Sequence, residues 1–95
     1  MDMSKVFSEK QIHKIDRIDQ VIRDYFEAHP FLIEIPAKEL MPIFLQKGIF
    51  YRNDQAGLPI CNLLRGLNKE NRLSLLKSAK VIRHAVNRNW YFVKQ

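Results

Sequence analysis

The sequence predicts a single α+β domain: three helices, a short strand between the first two, and a C-terminal β-hairpin. Three observations carry this. Apolar residues recur at helical spacing over 12–26 and again over 60–67. The period changes to two over 80–94, in runs on either side of Asn87-Arg88-Asn89. Pro30, Pro36, Pro42 and Pro59 punctuate the stretch between. The 95 residues suffice for one core without disulfide or metal, so the domain is read as 1–95. No run approaches the roughly 18 apolar residues of a membrane span.

The first helix is expected over 7–29. Ser8 suits the N-cap, with Gln11 reaching back, and Phe7 and Ile12 occupy the positions of a hydrophobic staple. Ile12, Ile15, Ile18, Ile22, Tyr25 and Phe26, with Val21 beside them, form the apolar stripe. Lys10, Lys14, Arg17, Asp24 and Glu27 make the opposite face, and Asp16 and Asp19 read as solvated. Pro30 stops the helix. Ile15, Ile18, Ile22 and Tyr25 also follow a 3-4-3 spacing, which would serve a homodimer through this helix.

Residues 31–35, Phe-Leu-Ile-Glu-Ile, read as a short edge strand, because Pro36 cannot donate to a ladder. A second helix is expected over 37–48, kinked or split at Pro42 and stopped by Gly48. Residues 51–57 are a polar loop. The third helix is expected over 58–72, with Pro59 in its first turn. Ile60, Leu63, Leu64 and Leu67 are its apolar stripe. Asn62, Arg65, Lys69 and Arg72 fall within a sector about 80° wide on the other side, at about 100° per residue, with Asn68 nearby. Gly66 would reflect close packing against the preceding helix. Ser74-Leu75-Leu76 fits either a continuing helix or the start of a strand. The hairpin is expected over 80–94, where Asn87 and Asn89 suit a tight turn. In its first strand Val81, Arg83 and Ala85 share one face, and in its second Trp90 and Phe92 share a face.

Charge is concentrated late in the chain. Residues 61–95 carry eight Lys/Arg against one acid, Glu70, while 1–30 and 31–60 are close to balance. A localised positive region of this kind points to a polyanion, most often nucleic acid. Catalysis finds little footing. His13, His29 and His84 are isolated, and none has metal-ligand spacing with Cys61. Phosphate-binding glycine loops and serine elbows are missing. The expectation is no enzyme and no cofactor. Cys61, the single cysteine, reads as a packed thiol beside the third helix's stripe. One cysteine and no signal-peptide pattern at the N-terminus lead to the expectation of a cytoplasmic protein without a membrane association.

In this order, with Leu63-Leu64-Arg65-Gly66-Leu67-Asn68-Lys69-Glu70-Asn71-Arg72-Leu73 running toward the hairpin, the chain resembles a winged helix-turn-helix DNA-binding domain. The resemblance covers about residues 8–94. It implies that the third helix enters the major groove and the hairpin, as the wing, touches the backbone or minor groove. The matching positions are Asn62, Arg65, Asn68, Lys69 and Arg72 on the helix, with Lys80, Arg83, Asn87 and Arg88 on the wing. Arg65 and Arg72 would read bases, Asn62 and Asn68 would add amide contacts, and Lys69, Lys80, Arg83 and Arg88 would hold phosphates. The expected function is duplex DNA binding, as a small transcriptional or mobile-element regulator. Two other readings stay open: a protein-docking module, and a single-stranded DNA or RNA binder that stacks bases on Trp90 and Tyr91.

Overall fold

The computed structural model describes residues 9–51, 57–84 and 89–95. Ser8 and Phe7, the expected cap and staple, lie outside the described residues. So do 52–56 of the polar loop and 85–88 of the hairpin, which include Asn87 and Arg88.

Helix α1 spans Glu9–Ala28, strand β1 Glu34–Pro36, helix α2 Met41–Gln46 and helix α3 Leu58–Lys69. Strands β2, Ala79–Arg83, and β3, Trp90–Lys94, complete an antiparallel sheet in the order β1-β3-β2. Short 3-10 turns at Ala37–Leu40 and Leu73–Leu75 lead into α2 and toward β2. The fold is therefore α+β, with three helices and a three-stranded sheet.

The α1 stripe is buried as expected at Ile15, Ile18, Val21, Ile22 and Phe26. On a helical wheel these residues occupy an arc of about 140° at 100° per residue. Ile12 lies beyond that arc and is 42% exposed, so it does not belong to the core. Lys14, expected on the polar face, instead projects within the arc. It is half-buried, with its Nζ 4.4 Å from the centre of the Phe50 ring. Of the 3-4-3 residues, Ile15, Ile18 and Ile22 pack inside this chain's own core and Tyr25 is half-buried.

The first strand is displaced from 31–35 to Glu34–Pro36. A turn closed by Leu32 N–H donating to the His29 carbonyl at 2.9 Å occupies the start of the expected strand. Phe31 and Ile33 are 96% and 71% exposed. Pairing begins with Glu34 opposite Val93 and ends with Pro36 opposite Tyr91. Pro36 is tolerated because β1 is an edge strand.

Pro42 splits the second helical stretch into the two pieces its chemistry demands: it sits in the first turn of α2, where an amide N–H is not needed. Gly48, at φ +72°, then terminates α2 in a Schellman motif. Its N–H donates to Leu45 and that of Ile49 to Phe44, both carbonyls left free by the helix end. Gly57, at φ +76°, opens α3 in a left-handed conformation, and its carbonyl accepts the first helical bond from Cys61 N–H. A Cβ there would meet Lys38 Cβ at 2.2 Å, so only glycine fits between this loop and the 3-10 turn.

Asp19 departs from its expected solvated role. It is 6% exposed, and its carboxylate accepts bonds from Ser78 N–H at 2.7 Å and Ser78 Oγ–H at 2.8 Å. Arg23, one turn along α1, lies 3.5 Å from the same carboxylate and also reaches Ser78 Oγ. This cluster ties α1 to the residue that precedes β2.

Candidate nucleic-acid interface

Helix α3 buries Ile60, Leu64 and Leu67 and half-buries Leu63. Its opposite side carries Asn62, Arg65 and Lys69, all exposed, three of the four residues expected on that face. Asn62 and Arg65 are joined: the Arg65 guanidinium donates to Asn62 Oδ1 at 2.8 Å. That bond holds the guanidinium along the helix surface. Asn68 is exposed but sits on the flank, about 100° round from Lys69.

Arg72 is not on this face. The helix ends at Lys69, three residues before the expected limit, because Asn71 turns left-handed at φ +57°. Asn71 N–H donates to Asn68 and Arg72 N–H to Leu67, a second Schellman motif. Asparagine is among the few residues with a side chain that tolerate this conformation. Arg72 emerges past the turn, exposed, and leads into the 3-10 turn at Leu73–Leu75. This turn resolves the ambiguity at Ser74-Leu75-Leu76: the segment continues neither the helix nor the sheet.

The two described wing cations point to opposite sides. Lys80 pairs with Val93, and Arg83 with Trp90. Alternation along β2 places Arg83, Val81 and Ala79 on the face of Trp90 and Phe92, and Lys80 on the other. Arg83 is exposed, with its guanidinium carbon 5.6 Å from the centre of the Trp90 ring. Arg88 and Asn87 lie outside the described residues.

Across the end of α3, the following turn and β2, Lys69, Arg72, Lys77 and Lys80 are exposed. None of the four side chains makes a hydrogen bond or ion pair with another described residue. Three cations elsewhere bond within the chain: Arg17 donates to the Lys47 carbonyl, Lys94 to the Pro30 carbonyl at 3.0 Å, and Arg23 joins the Asp19 cluster, whereas the side chains of Lys10, Lys38 and Lys47 have no such bond among the described residues.

The aromatic pair of the hairpin makes a poor stacking platform. Trp90 is 4% exposed and Phe92 fully buried, both in the core. The Trp90 indole N–H is buried with no hydrogen-bond acceptor. Tyr91 is half-buried, edge-on to His84 at 4.3 Å. His84 Nε2 in turn lies 3.7 Å from a Glu34 carboxylate oxygen across the sheet.

Cys61 is half-buried, and burial pushes its thiol above the ordinary range, against the weaker pull of the Arg65 and Lys38 charges. A thiol held in its protonated form is a poor nucleophile and a poor metal ligand. Among the described residues, no group of three or more His, Cys, Asp or Glu side chains could hold a metal ion. None of the described helices is long and apolar enough to cross a membrane.

Sequence reasoning missed two residues that shape this region. Asp19 projects only about 20° beyond Phe26 on the α1 wheel, so its place at the edge of the apolar arc was the available signal. Asn71 follows Glu70 at the end of an apolar stripe whose last member is Leu67, the position of a helix stop. Comparison with protein-family models, with curated proteins and with solved structures finds no match.

Proposed function

We propose that the chain is a winged-helix module that binds duplex DNA through the exposed face of α3 and the cations that follow it. The observation that carries this is the unpartnered series Lys69, Arg72, Lys77 and Lys80, continuous with Arg65 on α3 and opposed by Glu70 as the one acid in 61–95. The element order supports it too: α1 precedes β1, two helices separate β1 from β2, and β3 lies between the other strands. That is the connectivity expected of a winged helix.

On this reading Asn62 and Arg65 face the groove as a bonded unit, which presents the guanidinium in a fixed orientation to a base edge. Lys69, Arg72, Lys77 and Lys80 neutralise phosphates beside it. Arg83, over the Trp90 ring, adds a cation on the other face of the sheet from Lys80.

The test is fluorescence anisotropy with mixed-sequence duplex DNA over a salt series. Wild type should bind with affinity falling steeply as salt rises. Each phosphate contact contributes about 0.9 to the slope of log K against log salt. Lys69→Ala/Arg72→Ala/Lys80→Ala should therefore flatten the slope by roughly 2.7, with the circular dichroism spectrum unchanged. Absence of binding by wild type at low salt would overturn the proposal and leave the basic face as a docking surface for an acidic protein.

A further inference from the structure

We infer that the groove between the N-terminal half of α1 and α3 is a binding site for a small amphipathic anion, an apolar body bearing one carboxylate. This goes beyond the DNA reading and does not depend on it.

The groove encloses about 340 Å³, at the small end of the range for ligand pockets. Its apolar lining comes from Ile15, Phe50, Pro59, Leu63 and Leu67. Gly66 opens it further: a Cβ built there would meet nothing within 4 Å. The close helix contact expected at Gly66 is thus replaced by open space, and the missing side chain is part of the cavity's shape.

The pattern on α1 gives a second, independent reason. Continuing the buried arc of Ile15, Ile18 and Ile22 toward the N-terminus, the wheel brings exposed Gln11 and half-buried Lys14 to the angular range of the core residues, at about 20° and 40° on either side of Ile18. An ordinary amphipathic helix would place leucine or isoleucine there. Here both positions are polar, and both line the groove.

Charge selects the class of ligand. Among the described residues, Lys14 is the one ionised side chain in the lining, and no acid lines it. The ammonium is held against the Phe50 ring, at the boundary between the apolar wall and solvent. Asn62 and Gln11 add amide groups to the polar part of the lining. An apolar body against Leu63 and Leu67 with its carboxylate at Lys14 would satisfy both halves. A neutral ligand would bring no opposite charge to the ammonium, and a ligand cation would be repelled by it.

The experiment is a titration of the full chain with sodium octanoate, followed by two-dimensional amide NMR, with octanol as the uncharged control. Saturable shifts at Gln11, Lys14, Asn62 and Gly66 are expected, with octanoate bound at least about fivefold more tightly than octanol. Lys14→Gln should erase that preference while leaving octanol binding in place. Gly66→Leu should fill the cavity and abolish both, with the remaining spectrum still that of the folded protein. Non-saturating shifts, equal affinity for the two probes, or unchanged binding in Gly66→Leu would overturn the assignment. Shifts of the same residues on dilution of the protein alone would overturn it in favour of a second copy of the chain. DNA is absent from every arm, so the outcome is separate from that of the DNA-binding test.

Discussion

Asp19→Ala should be among the most damaging single substitutions outside the apolar core. The carboxylate is buried and accepts two bonds from one residue, Ser78, through its backbone N–H and its hydroxyl. Hydrogen bonds to a charged group contribute about 1.5–3 kcal/mol each, and an orphaned buried N–H costs a further share of that. The Arg23 ion pair adds little, because the Arg23 side chain is 52% exposed. Coupling between the two Ser78 bonds reduces the sum, so a loss of about 2–4 kcal/mol is expected for alanine. That is a large fraction of the roughly 5–15 kcal/mol that holds a domain of this kind together.

Ser78→Ala removes the hydroxyl and keeps the backbone bond, so it should cost about 1 kcal/mol. Arg23→Ala should cost less than about 1 kcal/mol. The assay is urea unfolding followed by the emission of Trp90, the one tryptophan, buried in the native state. The midpoint should shift in the order Asp19→Ala, Ser78→Ala, Arg23→Ala, with an unchanged m value. The double variant Asp19→Ala/Ser78→Ala should cost less than the two singles added. A loss under about 0.5 kcal/mol for Asp19→Ala would refute the claim that this cluster fastens α1 to the sheet.

Gly57→Ala should destabilise by more than about 2 kcal/mol, since the left-handed backbone alone costs 1–2 and the new Cβ collides with Lys38; thermal unfolding measures it. Gly66→Ala should do the reverse, stabilising by about 1 kcal/mol, because it sits in a helix with open space at the Cβ position. A loss of stability there would refute the description of the groove. Cys61 should alkylate with a half-maximal rate at a pH above the roughly 8.5 of a free thiol, and Arg65→Ala should move it higher still. The native state then holds the thiol proton more tightly than the unfolded chain does. Its contribution to stability is complete below the ordinary thiol range and is lost as pH rises through the folded value.

The parts of the fold written in local pattern were legible. The α1 stripe, the break at Pro42, the αL stop at Gly48 and the alternation of Trp90 and Phe92 into the core all follow from spacing or from one residue's backbone chemistry. The parts set by pairing were not. Phe31 and Ile33 have strand propensity, yet the turn at His29–Leu32 takes the first of these residues, and Cα pairing starts with Glu34 opposite Val93, one residue after Lys94 N–H bonds the Ile33 carbonyl. Arg72 fits the helical spacing of α3, but spacing continues on paper past a stop that Asn71 imposes in three dimensions. Lys14 was assigned by its chemistry to the polar face, although its wheel angle is that of a core position. In the candidate interface, helical spacing and the local charge excess located the cations, while the bond between Arg65 and Asn62 needed side-chain geometry.

The distribution of partners bears more on function than the net charge does. Arg17, Arg23, Lys14 and Lys94 each contact a carbonyl, a carboxylate or a ring of their own chain. These contacts give each a role in the fold. Lys69, Arg72, Lys77 and Lys80 have no such contact among the described residues, and their mutual repulsion opposes the compact state. A contact within the described residues therefore does not account for these four exposed side chains. A polyanion would remove the repulsion and gain from counterion release at the same time. An acidic protein would also remove the repulsion, but it would lack the condensed ions whose release gives the steep salt dependence. The salt slope, more than affinity itself, is the quantity that separates the two partners.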